Sequence, residues 1–317
     1  MQGPIPDLFE QPPPRCLLLS DYEGSVPRWC SGCGDLPVLA ALQRVCRDEQ
    51  LEPEKTVVVS GIGCSSRLPH YMHTYGYHGL HGRALPTACG VRCRRPDLHI
   101  FVATGDGDCC AIGTAHWIHA IRYNMNMVVM LLDNNIYGLT KNQTSPTTPK
   151  GRSSNTQPRG GALHPLNPIS VTLSVKNASF VAQTVDWNPL HLHATLLAAH
   201  QHPGFAFVRI LQRCPHYMGD AHEGLMRDPS HMLLMTHEDG IPTDEILSTM
   251  YPNQMEHDPA DLAEARQLAE QDEKFPIGLF YRNRLSDRYD EYSQQGMGMK
   301  PVEKLDGINK HLDRFQI

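Results

Sequence analysis

The chain has 317 residues, of which 40% are hydrophobic and 20% charged, proportions typical of a globular protein with a substantial buried core. Its formal charge of −6 at pH 7 offers no basic surface for nucleic acid, and no stretch approaches the roughly 20 consecutive apolar residues of a membrane-spanning helix. Because the N-terminus lacks a basic-then-apolar leader, we expect a cytoplasmic protein whose cysteines are metal ligands and buried thiols rather than disulfides.

In chain order, a loop-rich arm of residues 1–28 comes first, with extended backbone favoured by the prolines at 12–14. A helix is predicted from Asp35, which can cap it, because apolar residues recur at helical spacing after it. Further on, short apolar runs alternate with helical patterns. This alternation predicts an α/β fold in which a mainly parallel sheet is flanked by helices. The predicted strands are 56–61, 98–105, 127–135, 180–186 and 205–214, and the predicted helices between them are 111–124 and 188–202.

Two segments lack this alternation. Residues 140–168 are rich in Thr, Ser, Pro, Gly and Asn, which predicts a long loop. After Cys214 the charges become frequent and strand signals few, so we expect residues 215–317 to form a largely helical and irregular C-terminal extension. The main domain would then span residues 29–214.

A Gly-Asp-Gly sequence is the first candidate site. Gly105, Asp106 and Gly107 follow one predicted strand, and Asn134 ends the next strand, 28 residues after Asp106. Both positions fall at the carboxyl ends of parallel strands, where ligands bind. Glycines let the backbone approach a diphosphate, and carboxylate and amide oxygens suit Mg²⁺. Gly-Asp-Gly alone is also common in turns, but the flanking strand, helix and strand favour the ligand site. Asp108 could contact such a site indirectly or cap the following helix.

Four cysteines form the second candidate site. Cys30 and Cys33 make a CxxC before a predicted helix, and Cys64 and Cys214 each follow a strand. Four thiolates suit zinc or an iron–sulfur cluster, and the spacing does not decide between them. A lone cysteine is by default a small buried apolar residue, and the other six keep that interpretation, with Cys89 and Cys93 the first exceptions to consider.

The segments WCSGCGD, GIGCSSRLPHYMHTYGYHGLHGRALPTACG, TGDGD and DNNIYGLTKNQTSPTTP together resemble the β subunits of 2-oxoacid:ferredoxin oxidoreductases, most of all the 2-oxoglutarate type. The resemblance covers about residues 25–215. It implies a 4Fe–4S cluster on Cys30, Cys33, Cys64 and Cys214, with Ser31 replacing the usual Pro of the CxxC. It also implies thiamine diphosphate, with Mg²⁺ held by Asp106, Asn134 and the carbonyl of Ile136. The implied cofactor-binding residues are Gly105, Asp106, Gly107, Asp108, Asn134, Ile136, Tyr137 and His78.

Basic residues near these motifs are candidate catalytic groups. Arg67, His78, His81 and Arg83 lie within 17 residues, as a diphosphate or carboxylate site would require, although a loop of satisfied polar residues would look the same. Lys141 could pair with a substrate carboxylate or be a solvated loop lysine. We take His81, Arg83 and Lys141 as the catalytic candidates.

The resemblance implies oxidative decarboxylation of a 2-oxoacid to acyl-CoA and CO2 with electrons passed to ferredoxin, or the reverse carboxylation. The chain shows one diphosphate-binding unit, so the pyrimidine-binding domain, its glutamate and most of the coenzyme A site would lie on an α subunit, in an (αβ)2 heterotetramer. Two alternatives remain open: a thiamine-dependent decarboxylase subunit with a structural zinc, and an electron-transfer or assembly subunit that binds the cluster without thiamine.

Overall fold

The computed structural model describes residues 16–293 and 301–315. The prolines at 12–14 lie outside these ranges, and the described part of the arm is irregular apart from a 3₁₀ helix at Leu19–Asp21. Among the described helices, none combines the length and apolar character needed to cross a membrane.

The described residues form strands and helices that alternate along most of the chain. The strands are β1 (Thr56–Ser60), β2 (Tyr75–His78), β3 (His99–Gly105), β4 (Met127–Asp133), β5 (Ile136–Tyr137), β6 (Gln143–Thr144), β7 (Phe180–Val185), β8 (Phe205–Leu211), β9 (Met232–Thr236), β10 (Gln254–Glu256) and β11 (Phe275–Arg282). The α-helices are α1 (Asp35–Asp48), α2 (Ala84–Arg94), α3 (Thr114–Tyr123), α4 (Pro168–Ser174), α5 (Pro189–His200), α6 (Glu223–Arg227), α7 (Glu245–Met250), α8 (Leu262–Glu270), α9 (Tyr289–Ser293) and α10 (Pro301–Leu312). A 3₁₀ helix covers Ser65–Tyr71 and a π-helix Asp108–Ile112.

One sheet of nine strands organises the described residues, in the order β10-β9-β11-β7-β8-β4-β3-β1-β2. Neighbouring strands are parallel throughout except β7 and β11, which are antiparallel. The short strands β5 and β6 pair with each other in a separate hairpin. The predicted α/β fold with a mainly parallel sheet is therefore confirmed.

The central strands are buried on both faces, which explains their continuous apolar sequences. Phe101 and Val128 pack into the core beneath α1 and α5, whereas Val102 and Val129 pack into the opposite core, with Trp117 of α3. All seven residues of β4 are buried. Because successive side chains alternate between two apolar layers, a strand here cannot carry a polar face.

The predicted C-terminal extension includes strands as well as helices and irregular segments. Residues 215–317 contain helices, as predicted, but also contribute β9, β10 and β11 to the sheet. Strand β11 includes Pro276 and Gly278, residue types that normally argue against a strand. Its register against β7 shifts between Leu279 and Tyr281. Gly278 has φ +126°, and a Cβ there would lie 3.0 Å from the carbonyl oxygen of Met235.

The predicted loop at 140–168 is irregular apart from β6 and the first residue of α4. Helix α2 was not predicted, since Pro86 and Gly90 interrupt its helical pattern. Proline is tolerated here because it lies in the first turn, where a backbone N–H has no helical partner.

The parallel register brings five turns to one edge of the sheet. Ser60 pairs with Ala103, Gly105 with Leu132, and Asp133 with Leu211. The turns that leave the carboxyl ends of β1, β3, β4, β7 and β8 therefore lie side by side. All of the predicted site segments except the CxxC and Lys141 start directly from these strand ends or from the turn at the end of β2.

Candidate active site

A cavity of about 360 Å³ lies at the carboxyl ends of β1, β3 and β4. All three predicted magnesium contacts, Asp106, Asn134 and Ile136, line it. One predicted cluster ligand, Cys64, lines the same cavity. The remaining lining residues are Ile62, Gly63, Ser65, His81, Gly105, Gly107, Asp108, Leu132, Tyr137, Gly138, Leu139, Thr140 and Gln143.

Asp106 is a buried carboxylate held by two hydroxyl groups. Ser145 Oγ and Thr147 Oγ1 donate to its Oδ2 at 2.5 and 2.7 Å. Burial first, and then the negative charge of Asp133, raise the pKa of Asp106 to about 7. Desolvation and a like charge both disfavour the ionised carboxylate. A divalent cation bound here would offset both effects, so the carboxylate fits a metal ligand.

Asn134 and Ile136 belong to one tight turn after β4. The backbone N–H of Ile136 donates to Asn134 Oδ1 at 3.1 Å. Asn135 between them has φ +59°, a conformation that asparagine tolerates better than most residues. The turn therefore places Asn134 and Ile136 in the wall of the cavity that Asp106 also lines.

Asp108 joins three turns of the site. Its Oδ1 accepts from the backbone N–H groups of Ile62 and Gly82 at 3.1 and 2.6 Å, and from His81 Nδ1 at 2.7 Å. Its Oδ2 accepts from the Thr104 hydroxyl at 2.8 Å. Asp108 does not cap α3, which begins at Thr114. It holds His81 in place and ties the turns after β1 and β2 to β3.

The second glycine of Gly-Asp-Gly is required by Tyr137. A Cβ on Gly107 would lie 2.2 Å from a carbon of the Tyr137 ring. The Tyr137 hydroxyl donates to the Gly107 carbonyl at 3.0 Å, and burial raises the pKa of that phenol to about 12. The ring thus packs against this turn, and any side chain at 107 would displace it.

The predicted cluster ligands gather at the same edge of the sheet. A Cβ on Gly138 would lie 3.5 Å from Cys64 Sγ and 3.7 Å from Cys214 Sγ. The missing side chain of Gly138 therefore keeps open a space that two sulfurs border. Cys30 is exposed and Cys33 is buried, and burial raises the pKa of the Cys64 thiol to about 12.

The CxxC turn is anchored beside Cys214. The N–H of Gly34 donates to the Arg213 carbonyl at 3.0 Å, and a Cβ on Gly34 would lie 1.7 Å from a carboxylate oxygen of Asp186. Asp35 does not cap α1 as predicted. Its buried carboxylate lies 3.5 Å from Cys33 Sγ, and burial raises the pKa of Asp35 to about 7.

All ten cysteines lie within the described residues and are free thiols. Among the described residues, no group of three or more His, Cys, Asp or Glu side chains is placed so that it could hold a single metal ion. A four-iron cluster spreads its cysteine ligands farther apart than one ion does. The predicted magnesium contacts include one carboxylate, one amide and one carbonyl, so they are not a set of that kind.

The other predicted residues divide between the cavity and its surroundings. His81 lines the cavity, whereas His78 lines a neighbouring cleft of about 550 Å³ with Arg67. Arg83 Nη1 donates to the carbonyls of Gly82 and Ile112 at 3.3 Å, away from the cavity. Lys141 follows the lining residue Thr140 with φ +71° and does not line the cavity itself.

Several functional contacts were missed at the sequence level. Ser145 and Thr147 hold Asp106, and Asp133 forms an ion pair with Arg209 at 2.6 Å. Ser145 and Thr147 lie in the TSPTTP segment, and its resemblance to the family was the sequence signal that could have identified them. Nothing in the local pattern indicated that Arg209, on β8, reaches Asp133.

Two family models match parts of this chain. Residues 61–210 match the family model of the C-terminal TPP binding domain of thiamine pyrophosphate enzymes. Residues 248–295 match the C-terminal model of the pyruvate ferredoxin oxidoreductase beta subunit. The chain therefore contains a thiamine pyrophosphate-binding domain, and the match at 248–295 extends the relationship beyond the predicted residues 25–215.

Two curated relatives are similar over most of this chain. The first is 2-oxoglutarate oxidoreductase subunit KorB of Mycobacterium tuberculosis, 42% identical over 68% of this chain and 57% of its own length. This chain thus spans little more than half of that relative. The second is subunit beta of 2-oxoacid:ferredoxin oxidoreductase 1 from Aeropyrum pernix, 36% identical over 88% of both chains.

A solved structure is similar over almost the whole chain. It is 2-oxoglutarate:ferredoxin oxidoreductase from Magnetococcus marinus with 2-oxoglutarate, coenzyme A and succinyl-CoA bound, with a TM-score of 0.79 at 34% identity over 92% of this chain and 96% of that one. The resemblance predicted from the motifs, including that to the 2-oxoglutarate type, is confirmed. This chain belongs to the family of 2-oxoacid:ferredoxin oxidoreductase β subunits.

Proposed function

We propose that this chain is the β subunit of a 2-oxoglutarate:ferredoxin oxidoreductase. The enzyme would convert 2-oxoglutarate and coenzyme A to succinyl-CoA, CO2 and a proton while passing two electrons to ferredoxin, or run in reverse. One observation carries the proposal: Cys64, a predicted cluster ligand, lines the same cavity as Asp106 and Asn134. A cofactor site and a redox site that share a wall suit a reaction in which electrons leave the substrate and pass on through the protein.

Thiamine diphosphate would bind in the cavity through Mg²⁺. Asp106, Asn134 and the Ile136 carbonyl would hold the ion, which prefers oxygen ligands and bridges protein to phosphate. The cofactor supplies the carbon chemistry of decarboxylation. The residues of the chain bind and orient it: Gly105 and Gly107 allow close backbone approach, and Tyr137 fixes the turn at Gly107.

His81 is the best-placed polar group for contact with the diphosphate or the substrate. Its Nδ1 is engaged by Asp108 at 2.7 Å, which orients the ring and leaves Nε2 for a ligand in the cavity. Arg83 and Lys141 remain proposed contacts to substrate. Because both residues lie outside the cavity lining, we propose that they contact substrate in the part of the site that the α subunit completes. His78 would act with Arg67 in the adjoining cleft, where cationic groups suit an anionic ligand.

The four cysteines Cys30, Cys33, Cys64 and Cys214 would hold the 4Fe–4S cluster. The open space beside Gly138 and the proximity of two sulfurs to it support this assignment. Ligand thiols must lose their protons on binding iron. The raised pKa of Cys64 means that iron itself would have to drive that loss.

The remaining elements of the proposal concern partners. A β subunit implies an α subunit, which would supply the pyrimidine-binding domain, its glutamate and most of the coenzyme A site. We propose an (αβ)2 heterotetramer that passes electrons to ferredoxin in the cytoplasm.

A substrate panel tests the proposed function. The co-purified complex would be assayed with coenzyme A and a viologen or ferredoxin acceptor against 2-oxoglutarate, pyruvate and branched 2-oxoacids. We expect the highest kcat/KM for 2-oxoglutarate, because its second carboxylate needs a cationic or hydrogen-bonding partner that pyruvate does not. A higher kcat/KM for pyruvate would make the substrate assignment wrong while leaving the family intact.

A further inference from the structure

The segment Ser145–Thr148 folds back onto the two turns that carry the predicted magnesium contacts. Its hydroxyl groups contact both turns, although the segment supplies none of the predicted ligands. Ser145 and Thr147 donate to Asp106 Oδ2 on the first turn. Thr148 Oγ1 donates to the Asn135 carbonyl on the second turn at 2.6 Å and accepts from the Ser145 N–H at 2.8 Å. We call these three hydroxyl residues the hydroxyl clamp.

Thr147 lies between two buried carboxylates. Its Oγ1 is 2.7 Å from Asp106 Oδ2 and 2.6 Å from Asp133 Oδ1. A hydroxyl has one proton and can donate to only one of them at a time. Without the hydroxyl, Asp106 would keep Ser145 as its one hydroxyl donor while staying buried, and its carboxylate could turn away from its present position more easily.

Asp133, which Thr147 contacts on the side away from the cavity, is held by an ion pair and an amide hydrogen bond. Arg209 binds Asp133 Oδ2 through Nε at 2.8 Å and Nη2 at 2.6 Å, and the Asn135 amide donates to Asp133 Oδ1 at 3.0 Å. Asp133 is therefore an immobile anchor. Thr147 links Asp106 to this anchor. The Ser145 and Thr147 hydroxyls both bond to Oδ2 of Asp106, so the hydroxyl clamp leaves its Oδ1 to other partners.

We propose that Thr147, supported by Ser145 and Thr148, is a positioning residue that sets the orientation of the Asp106 carboxylate toward the metal. This inference rests on the proposed function, since it takes Asp106 to be a magnesium ligand. Groups that hydrogen-bond a metal ligand orient it, and losing one typically costs about 10–100-fold in metal affinity. The clamp would act on the metal without touching it.

The test uses the co-purified complex stripped of Mg²⁺ and thiamine diphosphate. Titration calorimetry measures the Mg²⁺ dissociation constant at saturating thiamine diphosphate. Thr147→Val, which keeps the shape and removes the hydroxyl, should raise that constant about 10–100-fold, and Thr147→Ser should restore most of the affinity. Thr156→Val is the matched control, because Thr156 is an exposed threonine of the same loop whose hydroxyl contacts Thr144 and Ser154. It should leave the constant unchanged.

A second readout separates positioning from general damage. If Thr147 acts through the metal, excess Mg²⁺ should restore most of the kcat of Thr147→Val, and thermal unfolding of the stripped complex should show that the variant is folded. Should Thr147→Val fail to assemble, Ser145→Ala removes the other hydroxyl on the same oxygen and should raise the Mg²⁺ dissociation constant in the same direction.

Asp106→Ala distinguishes the two ways of failing. If Thr147→Val keeps wild-type Mg²⁺ affinity while Asp106→Ala loses it, the role of the hydroxyl clamp is overturned and the proposed function stands. If Thr147→Val does not assemble, Ser145→Ala takes its place in this comparison. Wild-type affinity in Asp106→Ala as well would overturn the magnesium assignment on which the clamp depends.

Discussion

Asp108 should be the residue on which the shape of the cavity most depends. Four groups donate to its carboxylate: the N–H groups of Ile62 and Gly82, the His81 ring and the Thr104 hydroxyl. The His81 side chain is 36% exposed, so water can replace its partner. Gly82 and Thr104 donate from buried positions, and Ile62 is half-buried.

The cost of removing this carboxylate can be estimated from these contacts. A hydrogen bond to a charged group contributes about 1.5 kcal/mol at the low end, so two buried donors and one half-buried donor give roughly 4 kcal/mol for Asp108→Ala. At about 2 °C per kcal/mol for a chain of this size, the midpoint of thermal unfolding should fall by roughly 8 °C. Asp108→Asn keeps an oxygen at Oδ1 and should lose about 1–2 kcal/mol.

The assay is thermal unfolding of the full chain by circular dichroism. Asp97→Ala serves as the control, because Asp97 is an exposed aspartate paired with Arg95 at the surface, and its loss should change stability by no more than about 0.5 kcal/mol. An unfolding midpoint for Asp108→Ala that matches the Asp97→Ala control would refute the role assigned to Asp108.

A double-mutant cycle makes this prediction more specific. A Cβ on Gly61 would lie 2.0 Å from Asp108 Oδ2, so Gly61→Ala should be severely destabilising in the wild-type chain. In the Asp108→Ala background the clash is gone, and the cost of Gly61→Ala should fall sharply. Equal costs in both backgrounds would mean that the two residues do not touch.

Three further predictions concern the metal, the cluster and pH. Asp106→Ala should weaken Mg²⁺ and thiamine diphosphate together, and Asn134→Ala should do so less severely because no charge is lost; unchanged cofactor affinity in both, measured by calorimetry, would contradict the metal assignment. Cys214→Ala should lose most of the iron while thiamine diphosphate still binds, and a full complement of four irons in that variant would exclude Cys214 as a ligand. Burial lowers the pKa of His191 from 6.5 to about 4, so between these values the unfolded chain binds a proton that the folded chain does not. Stability should therefore fall as the pH drops from 6.5 to 4, by up to about 3 kcal/mol, and a His191→Gln variant whose unfolding midpoint shows the same pH dependence would contradict this.

The central sheet could be predicted because its strands are buried on both faces. Runs such as residues 127–132 are continuously apolar, and glycine or polar residues mark where they end. The sheet at the far edge could not be predicted in the same way. Pro276 and Gly278 interrupt the pattern of β11, and the strand is held by its pairing with β7 and β9, which are distant in sequence.

The candidate site was predictable to the extent that it follows from strand ends. Asp106 and Asn134 come together because parallel register places the ends of β3 and β4 side by side. The contacts of Asp108 and Thr147 span between 4 and 46 residues along the chain. Most depend on how separate turns fold toward one another, and no local periodicity encodes that.

We propose that the cofactor site and the cluster adjoin in this one chain and exchange electrons. The most direct test is freeze-quench electron paramagnetic resonance of the anaerobic, co-purified complex after 2-oxoglutarate is added without external acceptor. We predict a reduced-cluster signal that forms no more slowly than the enzyme turns over with its acceptor and that is lost in both Asp106→Ala and Cys214→Ala. Decarboxylation of 2-oxoglutarate at the normal rate with no change in the cluster signal would contradict the claim.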